Sequence, residues 1–174
     1  MKRLSDTYLE QQLALHALGY YGLEGQKWAV QVEDLAQAMN TTDILDYACG
    51  SGTLAKSLPE LPIREYDPCV VGKDVEPIAA DLVICTDVLE HIEPEFIDDV
   101  LDHIKSLTKR IVMFTIDLQP ANKTLPDGRN AHILLRSPRW WTRKINHRFE
   151  IRQYQFTDEN QRKIFVISAI EGEA

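Results

Sequence analysis

The sequence predicts an α/β domain built on a doubly wound, Rossmann-like, mainly parallel sheet that ends in an antiparallel strand pair. Three observations predict it. Residues 43–49, 81–86 and 110–116 are short apolar runs, rich in branched residues, with the length and character of strands buried on both faces. Helical spacings of three and four fill much of the chain between them, and strands alternating with helices require right-handed crossovers and a covered parallel sheet. Residues 149–156 then alternate apolar and polar, and only the turn-like Thr157-Asp158-Glu159-Asn160 separates them from a second run at 163–170. Two strands with so short a link pair antiparallel.

Each element follows from its residues. Ser5 with Asp6 caps a first helix, with Tyr8, Leu9, Leu13 and Leu15 mostly on one side, and the glycines between 19 and 25 stop it. Trp28, Val32, Leu35 and Met39 recur at helical spacing and predict a second helix from about Lys27. Both should lie over the edge or mouth of the sheet. The run at 43–49 opens into Gly50-Ser51-Gly52, and a helix over 53–58 stops at Pro59, a strand–turn–helix unit. A second strand spans 62–66 and ends at Asp67-Pro68, and a third spans 81–86. Pro94 should stand in the first turn of a helix whose inner face carries Ile97, Val100, Leu101, Ile104 and Leu107. The next strand is 110–116. Residues 117–135, with Pro120, Pro126 and Gly128, read as a long loop before a helix capped at Ser137-Pro138.

With 174 residues, 44% apolar and 26% charged, the chain is expected to form one domain, 1–174: two helices in 1–40 and a Rossmann-like core in 41–174. Disordered and fibrous classes are excluded by that composition. Nineteen Lys and Arg against 27 Asp and Glu give a net charge of −8, which repels nucleic-acid backbones and anionic membranes. The start, Met1-Lys2-Arg3-Leu4-Ser5-Asp6, lacks the apolar run of a signal peptide, and no window approaches a membrane span. A cytoplasmic location is expected. Three cysteines at wide spacing, Cys49, Cys69 and Cys85, form no disulfide framework, and no two histidines stand three to five residues apart, so no metal site is expected.

Ligands of open parallel sheets bind at the carboxyl ends of strands, where strand order reverses. Asp46 closes the first strand there, Gly50 and Gly52 let backbone approach a ligand, and Asp67 ends the second strand about one crossover later. An acid in the latter place suits the two hydroxyls of a ribose, which points to an adenosine-containing cofactor. Gly50-Ser51-Gly52-Thr53-Leu54-Ala55 also fits the dinucleotide pattern. Asp46 decides between them: a carboxylate just before the glycine turn repels a pyrophosphate and suits a ligand with ammonium and sulfonium charges.

At these residues the sequence resembles the class I S-adenosylmethionine-dependent methyltransferases, whose first motif, Asp-x-Gly-x-Gly-x-Gly, stands here as Asp46-Tyr47-Ala48-Cys49-Gly50-Ser51-Gly52, with Ala48 in place of the first glycine. A second similar stretch, 80–92, looks like the family's fourth strand with its Glu90-His91 turn. The resemblance covers roughly residues 27–170. It implies S-adenosyl-L-methionine as cofactor, with Asp46 near the amino group of its methionine moiety, Ala48, Gly50 and Gly52 packed on it, Asp67 on the ribose and Asp87 at the methionine or adenine end. The family's usual helix and third strand between the ribose acid and the fourth strand have no room between Asp67 and Asp81. Asp74 or Glu76 would stand in for the family's adenine-reading acid.

Methyl transfer needs mainly alignment of donor and acceptor, and a base where the acceptor must lose a proton. His91, just past the strand at 81–86, is the candidate base. Arg129, Asn130 and His132, in the polar loop after the strand at 110–116, are the candidate acceptor contacts. Trp140 and Trp141 read as helix anchors rather than base-stacking platforms, and Trp28 as core. Cys49 reads as a packing residue, not a nucleophile. The expected activity is methyl transfer to a small-molecule acceptor. The alternatives are a catalytically silent binding or regulatory protein of the same fold and, with less support, a nicotinamide-dependent oxidoreductase, which Asp46 and the absence of a Tyr-x-x-x-Lys pair oppose.

Overall fold

A computed structural model describes residues 3–19 and 22–170. Residues 1–2 of the amino-terminal stretch, 20–21 of the glycine-rich stop and 171–174 lie outside the described residues. The described elements run α1 (Asp6–Ala17), a 3-10 turn (Gly25–Trp28), α2 (Ala29–Met39), β1 (Ile44–Tyr47), α3 (Thr53–Ser57), β2 (Arg64–Tyr66) and β3 (Ala80–Thr86). There follow a 3-10 turn (Leu89–His91), α4 (Ile97–Leu107), β4 (Thr108–Asp117), α5 (Pro138–Asn146), β5 (Glu150–Phe156) and β6 (Lys163–Ala169). The six strands form one sheet in the order β2-β1-β3-β4-β6-β5. The first four pair in parallel, while β6 pairs antiparallel with both β4 and β5. This is a Rossmann-like, doubly wound sheet with the antiparallel carboxyl-terminal pair that the alternation at 149–170 required.

The period of two along the strands divides the core. On β3, Val83 and Cys85 join Leu45, Tyr47, Val112 and Phe114 on one face, which α4 covers with Ile97, Val100, Leu101, Ile104 and Leu107 and α5 with Trp141 and Ile145. Leu82 and Ile84 face the other way with Ile44, Met113 and Phe165, under Val32 and Ala36 of α2 and Leu54 of α3. Trp28, Leu35 and Met39 pack at the margin of that second cluster, as their spacing implied.

Several boundaries differ from the sequence expectation. Pro94 does not enter α4: Phe96 caps the helix, its N–H bonded to the Glu93 carbonyl, so the proline shapes the turn before it. The second helix begins with a 3-10 turn and becomes α-helical only at Ala29, and β2 starts at Arg64 rather than at residue 62. The larger difference is α1. Its buried side chains are Tyr8 and Gln12, whereas Leu13 is exposed. It packs through Tyr8 and Leu15 on a small apolar cluster with Leu125 and Ala131, and polar contacts add to this: Glu93 accepts hydrogen bonds from the Ser5 N–H (2.8 Å) and hydroxyl (2.7 Å), and the Tyr8 hydroxyl donates to the His91 carbonyl. Those partners lie more than eighty residues away in the chain, out of reach of a reading based on local periodicity.

Candidate functional site

Strand order reverses between β1 and β3, since the chain leaves β1 for β2 on one side and returns to β3 on the other. The carboxyl ends of these strands diverge there and open a crevice. A cavity of about 500 Å³ occupies it, roofed by residues of α1 and of the segment 22–27. That volume is in the range of small-molecule sites. Among the described residues no helix is long and apolar enough to cross a membrane.

At the end of β1, Asp46 faces the cavity almost fully buried. Burial raises its carboxyl to about 7; Glu65 and Asp67 push the same way and Lys73 opposes them. Ala48 and Gly50 also line the cavity, both at left-handed φ, 57° and 54°. The glycine at 50 has a further cause that the motif did not reveal. A Cβ there would lie 2.7 Å from the Gly22 carbonyl oxygen, because the amino-terminal segment crosses the turn and accepts from the Ser51 N–H and hydroxyl. Gly52 is not part of the lining; a Cβ on it would meet the Glu65 carboxylate at 1.9 Å and the Lys73 ammonium at 2.6 Å.

Asp67 is buried at the cavity wall, and each of its oxygens already accepts a backbone N–H, from Gly50 (2.9 Å) and from Cys69 (2.8 Å). Its carboxylate therefore ties the glycine turn to the end of β2 while facing the crevice. Beyond Asp67, the short crossover after β2 brings no acid to the cavity lining among the described residues. Asp74 accepts from the Gly72 N–H, Glu76 is held by Arg3 and His103, and neither lines the cavity.

The opposite wall is built after β3. Asp87, with φ 57°, accepts from Thr115 Oγ1 (2.8 Å) and from Lys163 Nζ (2.7 Å), while its second oxygen is buried without a hydrogen-bond partner. Beyond it, Glu90 is fully buried; burial, then Asp87, pushes its carboxyl up to about 8. His91 is driven down to about 4 by burial and by His132. The two imidazole rings meet edge to face, 4.7 Å apart. All four residues line the cavity.

Of the three loop residues expected at the acceptor, His132 alone reaches the cavity. Arg129 pairs with Asp127 on the exposed turn. Asn130 bridges the Ala121 N–H and carbonyl and accepts from the His132 N–H, so it positions His132 from behind. Sequence reading missed Glu90, Lys163 and Tyr8, which come to the cavity from three different elements. Cys49 and Cys69 are buried with their thiols pushed up, Cys69 to about 12, and stay protonated, as expected of packing residues.

No family model matches the sequence and no curated protein matches it. Solved structures do match in fold. A DhpI–SAH complex aligns over 95% of this chain and 98% of its own at 16% identity and a TM-score of 0.61. A S-adenosylmethionine-dependent methyltransferase from Clostridium acetobutylicum covers 84% and 92% at 13% identity, TM-score 0.64. A 1,6-didemethyltoxoflavin-N1-methyltransferase from Burkholderia thailandensis, with bound 1,6-didemethyltoxoflavin and S-adenosylhomocysteine, covers 85% and 79% at 14% identity, TM-score 0.62. The fold of this chain is that of the class I S-adenosylmethionine-dependent methyltransferases.

Proposed function

We propose that the protein is a S-adenosyl-L-methionine-dependent methyltransferase acting on a small-molecule acceptor, working as one domain. The buried carboxylate of Asp46, facing the switch-point cavity beside the Ala48–Gly50 turn, carries the reading. It offers an ammonium group a charged partner out of water, and a pyrophosphate would find only repulsion there. Asp67, at the end of β2, takes the ribose with the lone pairs not used by Gly50 and Cys69. The wall of Asp87, Glu90, His91 and His132 would then be the acceptor side of the cavity. The structural neighbour with bound 1,6-didemethyltoxoflavin supports the acceptor class. The volume of the cavity, about 500 Å³, fits it too.

Within this reading the chain's own work is alignment and exclusion of water. The Tyr8 hydroxyl and the Ser5–Glu93 bonds hold α1 across the mouth, and His91 and His132 orient the acceptor against the methyl group. His91 is the group placed to take a proton from it.

Calorimetric titration of cofactor-free protein with S-adenosylmethionine, S-adenosylhomocysteine and NAD tests the cofactor. The first two should bind and NAD should not; binding of NAD alone would replace the reading with the oxidoreductase one. Binding of the first two without transfer to any acceptor in a broad panel would favour the catalytically silent reading. Asp67→Ala should weaken S-adenosylhomocysteine by about 1.5–3 kcal/mol, the usual loss for a hydrogen bond to a charged group. Unchanged affinity would remove Asp67 from the ribose.

A further inference from the structure

The acceptor wall brings together groups that the sequence keeps apart. Glu90 and His91 end the 3-10 turn after β3, whereas His132 comes from the loop after β4. One ligand atom from each lies within 4.8 Å of the other two. We propose that Glu90, His91 and His132 bind one divalent transition-metal cation, on the acceptor side of the cavity.

Each group is oriented for that task. His91 Nδ1 lies 2.8 Å from the Ala131 carbonyl and His132 Nδ1 lies 2.5 Å from the Gln119 carbonyl. A carbonyl only accepts, so both Nδ1 atoms carry the proton and both lone pairs are on Nε2. A backbone carbonyl behind a ligating imidazole is the usual outer support of a metal site, because it fixes tautomer and ring orientation together. Glu90 Oε1 accepts the Asp117 N–H at 2.8 Å, which holds the carboxyl group in place. Its Oε2 is buried and has no hydrogen-bond partner. A buried oxygen in that state has lost its water without gaining a partner, and a bound cation would supply one. The Asp87 oxygen that also lacks a partner adds negative charge beside the site.

The geometry also fits. Two ligands each about 2.1 Å from one ion stand at most about 4.2 Å apart, so small side-chain rotations close the observed spacing. Two imidazoles and one carboxylate favour zinc, manganese, iron or cobalt over magnesium or calcium, and three protein ligands leave coordination positions open. Arg129 is turned away to Asp127 and does not compete for the carboxylate.

The role of the ion rests on the methyl-transfer reading. It would hold an acceptor hydroxyl and acidify it as a Lewis acid. The oxygen lone pair would form the new bond to the methyl carbon and the carbon–sulfur bond would break with its electron pair left on sulfur; because His91 Nε2, the base in the absence of an ion, would then be a ligand, the hydroxyl proton would pass to water. The acceptor class is therefore an alcohol or phenol whose oxygen completes the coordination shell.

Titration of metal-stripped protein with Co2+ should show one ion per chain and the visible absorption of nitrogen- and oxygen-ligated cobalt. His132→Ala, at a partly exposed position, should weaken Co2+ by at least about tenfold while leaving S-adenosylhomocysteine affinity unchanged. Glu90→Gln provides a second, isosteric variant with the same expected loss of cobalt. Mn2+ should broaden the methyl resonance of bound 13C-methyl S-adenosylmethionine in the wild type and not in His132→Ala. Absent Co2+ uptake in protein that binds S-adenosylhomocysteine overturns the cation site, as does uptake unaffected by both variants. Co2+ uptake lost in both variants, in protein that binds no S-adenosylhomocysteine, supports the site and overturns the methyl-transfer reading instead.

Discussion

Asp46→Asn is expected to cost about 2–4 kcal/mol of S-adenosylmethionine affinity, roughly 30- to 1,000-fold, the range for truncating one partner of a buried charge pair. The loss should depend on pH in a way that the neighbours of Asp46 dictate. Burial, Glu65 and Asp67 hold its carboxyl at about 7 in the free protein against the pull of Lys73. Below that pH the cofactor's ammonium meets a neutral acid, and binding must release a proton. Affinity should therefore fall about tenfold for each unit of pH below about 7. Above about 8 it should fall again, as an α-amino group loses its charge. In Asp46→Asn the acid limb vanishes.

The same group shifts stability in the opposite sense. Its folded pKa is raised above the unfolded value, so its contribution to stability is fully present below the unfolded pKa and lost as pH climbs through about 7. Wild type should thus lose stability relative to Asp46→Asn between about pH 4 and 7, and bound cofactor should remove the difference. Calorimetric titrations between about pH 5 and 9, in buffers of different ionisation enthalpy, check both limbs of the affinity. An affinity that does not change with pH in the wild type would show that Asp46 does not face the ammonium.

The chain announces its sheet because strand burial is a local property. Leu82, Val83, Ile84 and Cys85 are all fully buried, and a continuous apolar run is the only local sign that a doubly covered strand can give. The stripe of α4 and the cap of α5 at Ser137 are local in the same sense. The order β4-β6-β5 is not: adjacency in sequence fixes that β5 and β6 pair, but not which of them meets β4. At the site, Asp46 and Asp67 are legible because strand ends deliver them to a predictable edge. Gly50 and Gly52 are legible as necessary glycines but not for their causes, which are Gly22 on one side and the Glu65–Lys73 pair on the other. Helical ligand spacing does not find two imidazoles delivered by separate loops, which is why the approach of His91 to His132 has no local signature.

Trp141→Ala should destabilise the protein by about 3–5 kcal/mol, the cost of deleting a large side chain from a packed core. For a chain of this length that is a melting shift of roughly 6–20 °C. Trp141 is fully buried among Leu89, Leu134, Ile145 and Phe149, with its indole N–H lacking a hydrogen-bond partner. Trp141→Phe should therefore cost far less, no more than about 1.5 kcal/mol, since it keeps much of the ring volume and removes a buried orphan donor. Its neighbour Trp140 is only partly buried and carries Arg136 and Lys144 over its ring, at 5.7 and 5.4 Å. Such contacts are worth about 0.5–1 kcal/mol each at exposed sites, so Trp140→Ala should cost markedly less than Trp141→Ala. Denaturant melts of the three variants separate these costs; equal losses for Trp140→Ala and Trp141→Ala would mean that α5 does not anchor the sheet through Trp141. That anchoring bears on the cavity, because Leu134, in the same cluster, donates its N–H to the Glu90 carbonyl just two residues beyond His132. Loosening the core at Trp141 should thus disturb the acceptor wall before it reaches Asp46, which projects from β1 on the far side of the switch point.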